Sequence, residues 1–474
     1  MDFKIKLGVL KHLVKIATLL CCLVCCTNVL AATFVLDVLD GANEGFNDNS
    51  PPFADQTNNP AATLGAQRLA VFQAAADFWG SRLSSDVIIR ISVNMDPLPC
   101  APSAATLGST GAQTSFSDFP GAPRANTFYP VALANSIAGE DLTPGPGANN
   151  NDIRAVFNVS IDNNPNCLPS NWWLGIDSPP APGTISFFNT VLHELGHGLG
   201  FSSLISTSTG AKPQGLDDTY SIHLFDEQSN QFWSEMTNAE RLASATNTGN
   251  VVWRGENADS NSNHLTAASR TGGHIRMFAP NPLEPGASIS HWDTTLSPDE
   301  VMEPILNLNQ DVRSTLQLFR DIGWNIITGP VPSSPGEIGF ITTSSSATEN
   351  QGQARLLVAR SGGSEGSASV RVRSQDISAD STGAEIDYTP VDQIVNWADG
   401  ETGIRTINVF IVDDGIEEAN ETASFNLSEA TGGATIGQDS NILTIVDSGT
   451  DDDLLLKIVP IVSAILRRFA EPEE

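Results

Sequence analysis

Residues 191–201 read Val-Leu-His-Glu-Leu-Gly-His-Gly-Leu-Gly-Phe, and this segment holds the side chains best suited to chemistry. His193 and His197 are four positions apart. On an α-helix that spacing puts both imidazoles on one face, one turn apart, within reach of a single ion. Zinc takes imidazole nitrogen at about 2.0–2.1 Å in near-tetrahedral geometry. Glu194 stands beside the first histidine, where a carboxylate can take a proton from water activated by the metal. The chemistry this predicts is metal-assisted hydrolysis. Two histidines do not complete such a site, because a catalytic zinc takes three protein ligands and keeps one position open. The extended pattern His-Glu-x-x-His-x-x-Gly-x-x-His would place the third at position 203, which is Ser203. On residue type alone, His223, His264, His274, His291 and downstream carboxylates all stay open as the third ligand.

The motif needs a buried helix to hold it. Ile185, Phe187, Phe188, Val191, Leu192 and Leu195 supply the apolar surface. Glycine is a poor helix former, so Gly200 is predicted to mark the helix end. Upstream, Leu69, Val71, Phe72, Ala75, Phe78 and Trp79 recur at helical spacing and predict a helix over 64–83. Residues 87–93 and 152–160 read as strands. A helix–strand–strand order ahead of the motif fits an α+β domain.

Composition bounds the rest. The 474 residues carry a formal net charge of -31, with 24 Lys+Arg. That excludes a general nucleic-acid role, which needs a basic surface. Lys4, Lys6, Lys11 and Lys15 precede an apolar run from Ile16 to Val24, and Val29-Leu30-Ala31 offers a cleavage point. Residues 1–31 therefore read as a signal peptide, and the mature chain as secreted or cell-surface. Cys21, Cys22, Cys25 and Cys26 lie inside that segment and leave with it. Cys100 and Cys167 remain, and export predicts a disulfide between them.

With these residues in view, the chain resembles a metzincin metallopeptidase of the leishmanolysin type. The resemblance rests on residues 185–203 and 288–325: the histidine motif with Gly200, then Ser290-His-Trp-Asp293, Val301-Met-Glu-Pro304 and Ser314 to Trp324. It implies that His291 is the third zinc ligand and that Met302 is the methionine of a turn beneath the site. It also implies a zinc endopeptidase with Glu194 as general base and a protein or peptide as substrate. The chain departs from the family in its few cysteines and in a long insertion, 202–290, whose fold the sequence does not reveal.

Gly329 to Gly336 forms a Pro/Ser/Gly linker, and beyond it the character changes. Residues 337–448 hold neither His nor Cys and alternate with period two at 355–360, 369–373, 407–412 and 442–446. Regular turn signals between these runs predict an antiparallel, immunoglobulin-like sandwich. This stretch resembles a Calx-β domain through Ala347-Thr-Glu-Asn350, Val358 to Gly363, Glu385 to Tyr388, Gly400-Glu401, Val412 to Glu418 and Glu421. The resemblance implies calcium held by Glu349, Asp387, Asp413, Asp414 and Glu417, with Asp447 a further candidate. Hard Ca²⁺ wants several carboxylate oxygens, which agrees.

The expected architecture is thus an α+β metzincin-like peptidase domain (32–328) followed by an all-β immunoglobulin-like sandwich. Residues 449–474 form an acidic and apolar tail, whose Leu454–Leu466 run is short for a membrane span but could lie on a membrane surface. The expected function is that of a secreted bacterial zinc-dependent endopeptidase. One alternative is a catalytically silent extracellular binding or adhesion protein with a calcium-binding sandwich. Another is a zinc hydrolase acting on a non-peptide amide.

Overall fold

The computed structural model describes residues 31–53, 59, 61, 63–144, 150–162, 164–175, 180–305, 311–327, 335–361, 363, 365–382, 386–397, 403–413 and 418–447. The predicted signal peptide up to residue 30, most of the predicted linker and the predicted tail lie outside these residues.

The first block is built on a four-stranded sheet with order β1-β2-β4-β3: β1 (Phe34–Val38), β2 (Ile89–Asp96), β3 (Gly108–Ala112) and β4 (Ile153–Asn158). β1, β2 and β4 run parallel, and β3 is an antiparallel edge strand. Parallel strands are covered on their faces, so they read as apolar runs rather than alternations. β2 keeps an alternating sequence yet is covered on both faces: Ile89, Ile91, Val93 and Met95 are buried on one side, and the polar Ser92 and Asn94 on the other.

Helix α1 (Leu64–Gly80) packs on this sheet, with Leu69, Val71, Phe72, Ala75 and Trp79 inside the core. The Thr63 side chain accepts from the Ala66 amide and caps its start. Helix α2 (Val131–Ala138) follows β3, α3 (Phe187–Gly198) carries the histidine motif, and α4 (Arg313–Ile322) closes the block. Beyond these helices the described part of the block is mostly strand and loop. Cys100 and Cys167 form the expected disulfide. It closes a loop of 67 residues, which on the chain-entropy model stabilises the fold by about 4 kcal/mol.

The insertion folds into a small antiparallel sheet of order β6-β5-β7-β9-β8: β5 (Leu224–Asp226), β6 (Gln231–Phe232), β7 (Val251–Trp253), β8 (Arg270–Thr271) and β9 (His274–Arg276). Trp253 and Trp292 pack edge to face, which ties this sheet to the segment bearing His291.

The second block is a two-sheet sandwich. Its strands are β10 (Glu337–Phe340), β11 (Ser344–Thr348), β12 (Gln353–Ser361), β13 (Ala368–Asp376), β14 (Asp392–Trp397), β15 (Gly403–Phe410), β16 (Glu421–Ser428), β17 (Thr435–Ile436) and β18 (Ser440–Val446). One sheet has order β15-β12-β10-β17, the other β11-β18-β16-β13-β14. The sandwich departs from the all-antiparallel expectation at two places, because β10 pairs parallel with β17 and β11 parallel with β18. The chain crosses from one sheet to the other at Ile341–Thr343, so β10 and β11 enter their sheets beside strands that run the same way.

The two blocks touch. The Leu36 amide donates to the Ile341 carbonyl (2.8 Å), and the Thr343 amide to the Leu36 carbonyl (3.0 Å). Ile341, Leu357 and Ala359 join the core of the first block, whereas Leu356 and Val358 belong to the core of the sandwich.

Candidate metal centre

Helix α3 starts at Ser186, whose hydroxyl accepts from the Asn189 amide (3.1 Å). Two tryptophans fix its length and roll. The Trp79 indole N–H donates to the Leu192 carbonyl (2.9 Å), and the Trp324 N–H to the Leu199 carbonyl (2.8 Å). The helix ends at Gly198, and Gly200 follows at φ 117°, a backbone conformation that an L side chain rarely adopts. There the chain turns away, as its sequence suggested.

The turn brings in the third histidine. His193 Nε2, His197 Nε2 and His291 Nε2 form a triangle with all three sides 3.2 Å. Each ring is held from behind by a backbone carbonyl. His193 Nδ1 donates to Val301 O (2.7 Å), His197 Nδ1 to Phe201 O (2.8 Å) and His291 Nδ1 to Ala287 O (2.8 Å). Carbonyls only accept, so the Nδ1 atoms carry the protons and the three Nε2 lone pairs face one another. Burial lowers the pKa of His193 to about 3 and of His197 to about 4, and the neighbouring ring lowers His193 further. His291 lies well below its usual range for the same two reasons, burial first. The imidazoles are therefore neutral at physiological pH, as metal ligands must be.

Three facing lone pairs repel unless an electrophile sits among them. For a tetrahedral ion with metal–nitrogen bonds of about 2.0–2.1 Å, geometry requires nitrogens about 3.3 Å apart. The triangle fits that ion. His193 and His197 keep part of their surface open, which leaves a side for a fourth ligand.

Glu194 is buried beside the triangle against β3. Burial pushes its carboxyl up to about 8. Met302 is fully buried behind α3. A Cβ on Gly196 would stand 2.3 Å from its sulfur, so only glycine lets the turn approach this closely. The turn also holds the segment that bears His291, since the Trp292 amide donates to the Met302 carbonyl (2.9 Å).

His223, His264 and His274 stand apart from the triangle, each with its own partner. His223 packs against Trp253. His264 lies against Ser314 Oγ (3.2 Å) and Glu300 (3.7 Å). His274 Nδ1 meets Asp259 at 2.8 Å. His264, Glu300 and Asp311 cluster, but Glu300 receives the Ser314 and Thr315 amides and Asp311 receives Arg313. This group caps α4, and its oxygens are already occupied.

In the sandwich the described cluster of carboxylates is Asp387, Glu418 and Glu421. Of the residues that the Calx-β resemblance implied, Asp387 belongs to this cluster, together with Glu418 and Glu421, which the resemblance did not assign. Glu349 is buried in the turn after β11, and Asp413 is exposed. Asp414 and Glu417 lie outside the described residues. Asp447 accepts from the Glu418 amide (3.2 Å). Burial raises Glu421 to about 7, and the adjoining carboxylates of Asp387 and Glu418 add to the rise. The signal for Glu421 was its place at the first residue of a strand entering the acidic end.

The C-terminal fold defines a two-sheet β-sandwich with an acidic loop end. Residues 332–449 match the profile of the Calx-beta domain, and this part of the chain is a Calx-beta domain. Among solved structures, the apo form of the Calx CBD1 domain is similar at 20% identity, covering 24% of this chain and 96% of that one, with TM-score 0.22. The Calx CBD2 domain is similar at 17% identity, covering 28% and 98%, with TM-score 0.24. CBD12 from CALX1.2 is similar at 20% identity, covering 23% and 45%, with TM-score 0.22. No curated protein matches the chain.

Proposed function

We propose that the chain is a secreted zinc-dependent endopeptidase of metzincin type, joined to a calcium-binding Calx-beta domain. The observation that carries this reading is the triangle of Nε2 atoms, each 3.2 Å from the others and each backed by a carbonyl. His193, His197 and His291 would hold the zinc. When bound, zinc acidifies a water and polarises the carbonyl to be cleaved. Glu194 takes the proton of the attacking water and hands it to the leaving amine. Its burial favours that shuttle, because a carboxyl with a raised pKa both accepts and returns a proton near neutrality.

The substrate class follows from β3. Among the described residues no strand pairs with its outer side, and Gly108 lies directly against Glu194. An extended peptide can add to such an edge through main-chain hydrogen bonds, which brings a peptide bond alongside the base. This favours a peptide over a compact amide. In the sandwich, Asp387, Glu418 and Glu421 offer a calcium ion its carboxylate oxygens.

Hydrolysis of casein by the purified protein tests the reading. Activity should vanish on chelation, return with zinc, and fall by about 10²–10⁴ in Glu194→Ala while zinc stays bound. Full activity in the chelated protein would refute it.

A further inference from the structure

The two blocks leave a cleft between them. Phe46 and Leu69 of the first block line one side, and Ser344, Ser346, Gln353 and Arg355 of the sandwich line the other. Arg355 alone among the lining residues carries a charge. It stands two positions before Leu357, so it lies on the face of β12 that turns toward the first block. Among the described residues its guanidinium has neither an ion-pair nor a hydrogen-bond partner. That is unusual in a chain with 55 Asp+Glu and 24 Lys+Arg, where Arg68, Arg313 and Arg371 all meet carboxylates. Ala347 of β11 packs inside the sandwich, so alternation turns Ser344 and Ser346 outward. Their hydroxyls make no hydrogen bond among the described residues and are not sealed from solvent. Phe410 pairs across from Gln353 and is 59% exposed, so an aromatic ring stands beside the cleft.

An unpaired guanidinium with hydroxyls beside it selects an oxyanion, and a carboxylate meets it through two parallel N–H···O bonds. The carbon surface nearby narrows the choice. A uronate ring carries hydroxyls around its carboxylate, and an acidic side chain ends in its own. The last residue of a peptide instead bears a carboxylate and a side chain on one carbon. We propose that this cleft binds the C-terminal residue of a peptide, its carboxylate on Arg355 with Ser344 and Ser346, and an apolar side chain on Leu69 and Phe410. No residue of the histidine triangle lines the cleft, so the site stands apart from the zinc chemistry.

The test uses the full-length protein carrying Glu194→Ala, so that the probe is not cut. N-acetyl-Ala-Leu is titrated by calorimetry, and its C-terminal amide, acetate and galacturonate are titrated beside it. The dipeptide should bind about tenfold or more tightly than each of the other three, because only it offers both the carboxylate and the apolar side chain. Adding Arg355→Gln should weaken the dipeptide about tenfold or more, and Arg355→Lys, which keeps the charge without the fork, should weaken it less. Binding to the parent should fall as salt is raised and should be unchanged when zinc is removed by chelation. The zinc and amide comparisons are made on the parent, so they stand even if Arg355→Gln folds poorly. Absence of dipeptide binding, equal binding of the amide, acetate or galacturonate, affinity that survives Arg355→Gln, or affinity that disappears with the zinc would each overturn the proposal.

Discussion

At the residue scale, the site depends on three imidazoles made acceptors by their own backbone. Val301, Phe201 and Ala287 supply carbonyls at 2.7–2.8 Å, so no ring is free to turn its proton inward. His291→Ala should therefore weaken zinc binding by more than the roughly 10–100-fold that losing a supporting partner causes. Competition with a chromogenic chelator measures this, and His264→Ala and His274→Ala should leave the affinity unchanged. A second residue-scale expectation concerns Asp77 of α1, which accepts from Gln73 Nε2 (2.8 Å). Burial raises its carboxyl from 3.8 to about 6. The folded state then holds the proton more tightly than the unfolded chain, so this group's contribution is full below about pH 4 and is lost as pH rises through about 6. Asp77→Asn should remove that decline, up to about 3 kcal/mol, in denaturant titrations across the range. His193, Glu194 and His197 were legible because a four-residue spacing has one meaning on a helix. His291 was not, since its partners lie about a hundred positions away in sequence; only a family resemblance singled it out. Glu418 and Glu421 escaped because which carboxylates meet depends on loop paths, not on spacing.

Helices and strands set the next level of the account. Gly196 is part of the packing between α3 and the turn at Met302. Gly196→Ala should overpack that contact and destabilise the first block by about 1–3 kcal/mol, read by thermal unfolding of the zinc-free protein. A milder loss is expected if Met302→Ala is added, because the shaved sulfur makes room. Element types were largely readable. The helix expected over 64–83 is Leu64–Gly80, and the runs at 355–360, 369–373 and 442–446 all lie in strands. The insertion was unreadable for a physical reason. Its strands are two or three residues long, too short to establish a period, and their stability comes from Trp253, Tyr220 and Trp292 packing together.

At the scale of the whole molecule, the Calx-beta domain meets the sheet of the first block along β1. Strand alternation divides β12 between two cores: Leu357 faces the first block, and Leu356 faces the sandwich. Leu357→Ala should cost about 2–5 kcal/mol and separate the unfolding of the two blocks in calorimetry, whereas Leu356→Ala should weaken the sandwich alone. Linker composition in the sequence pointed to independent units. The hydrogen bonds between Leu36 and Ile341–Thr343 were beyond its reach, because they join strands some three hundred residues apart.

The measurement closest to the central claim is zinc-edge X-ray absorption on the purified, zinc-loaded protein. Three imidazole nitrogens and one oxygen ligand are expected at about 2.0–2.1 Å, with an imidazole contribution lost in His291→Ala. Sulfur in the coordination shell, or a spectrum unaltered by His291→Ala, would contradict it.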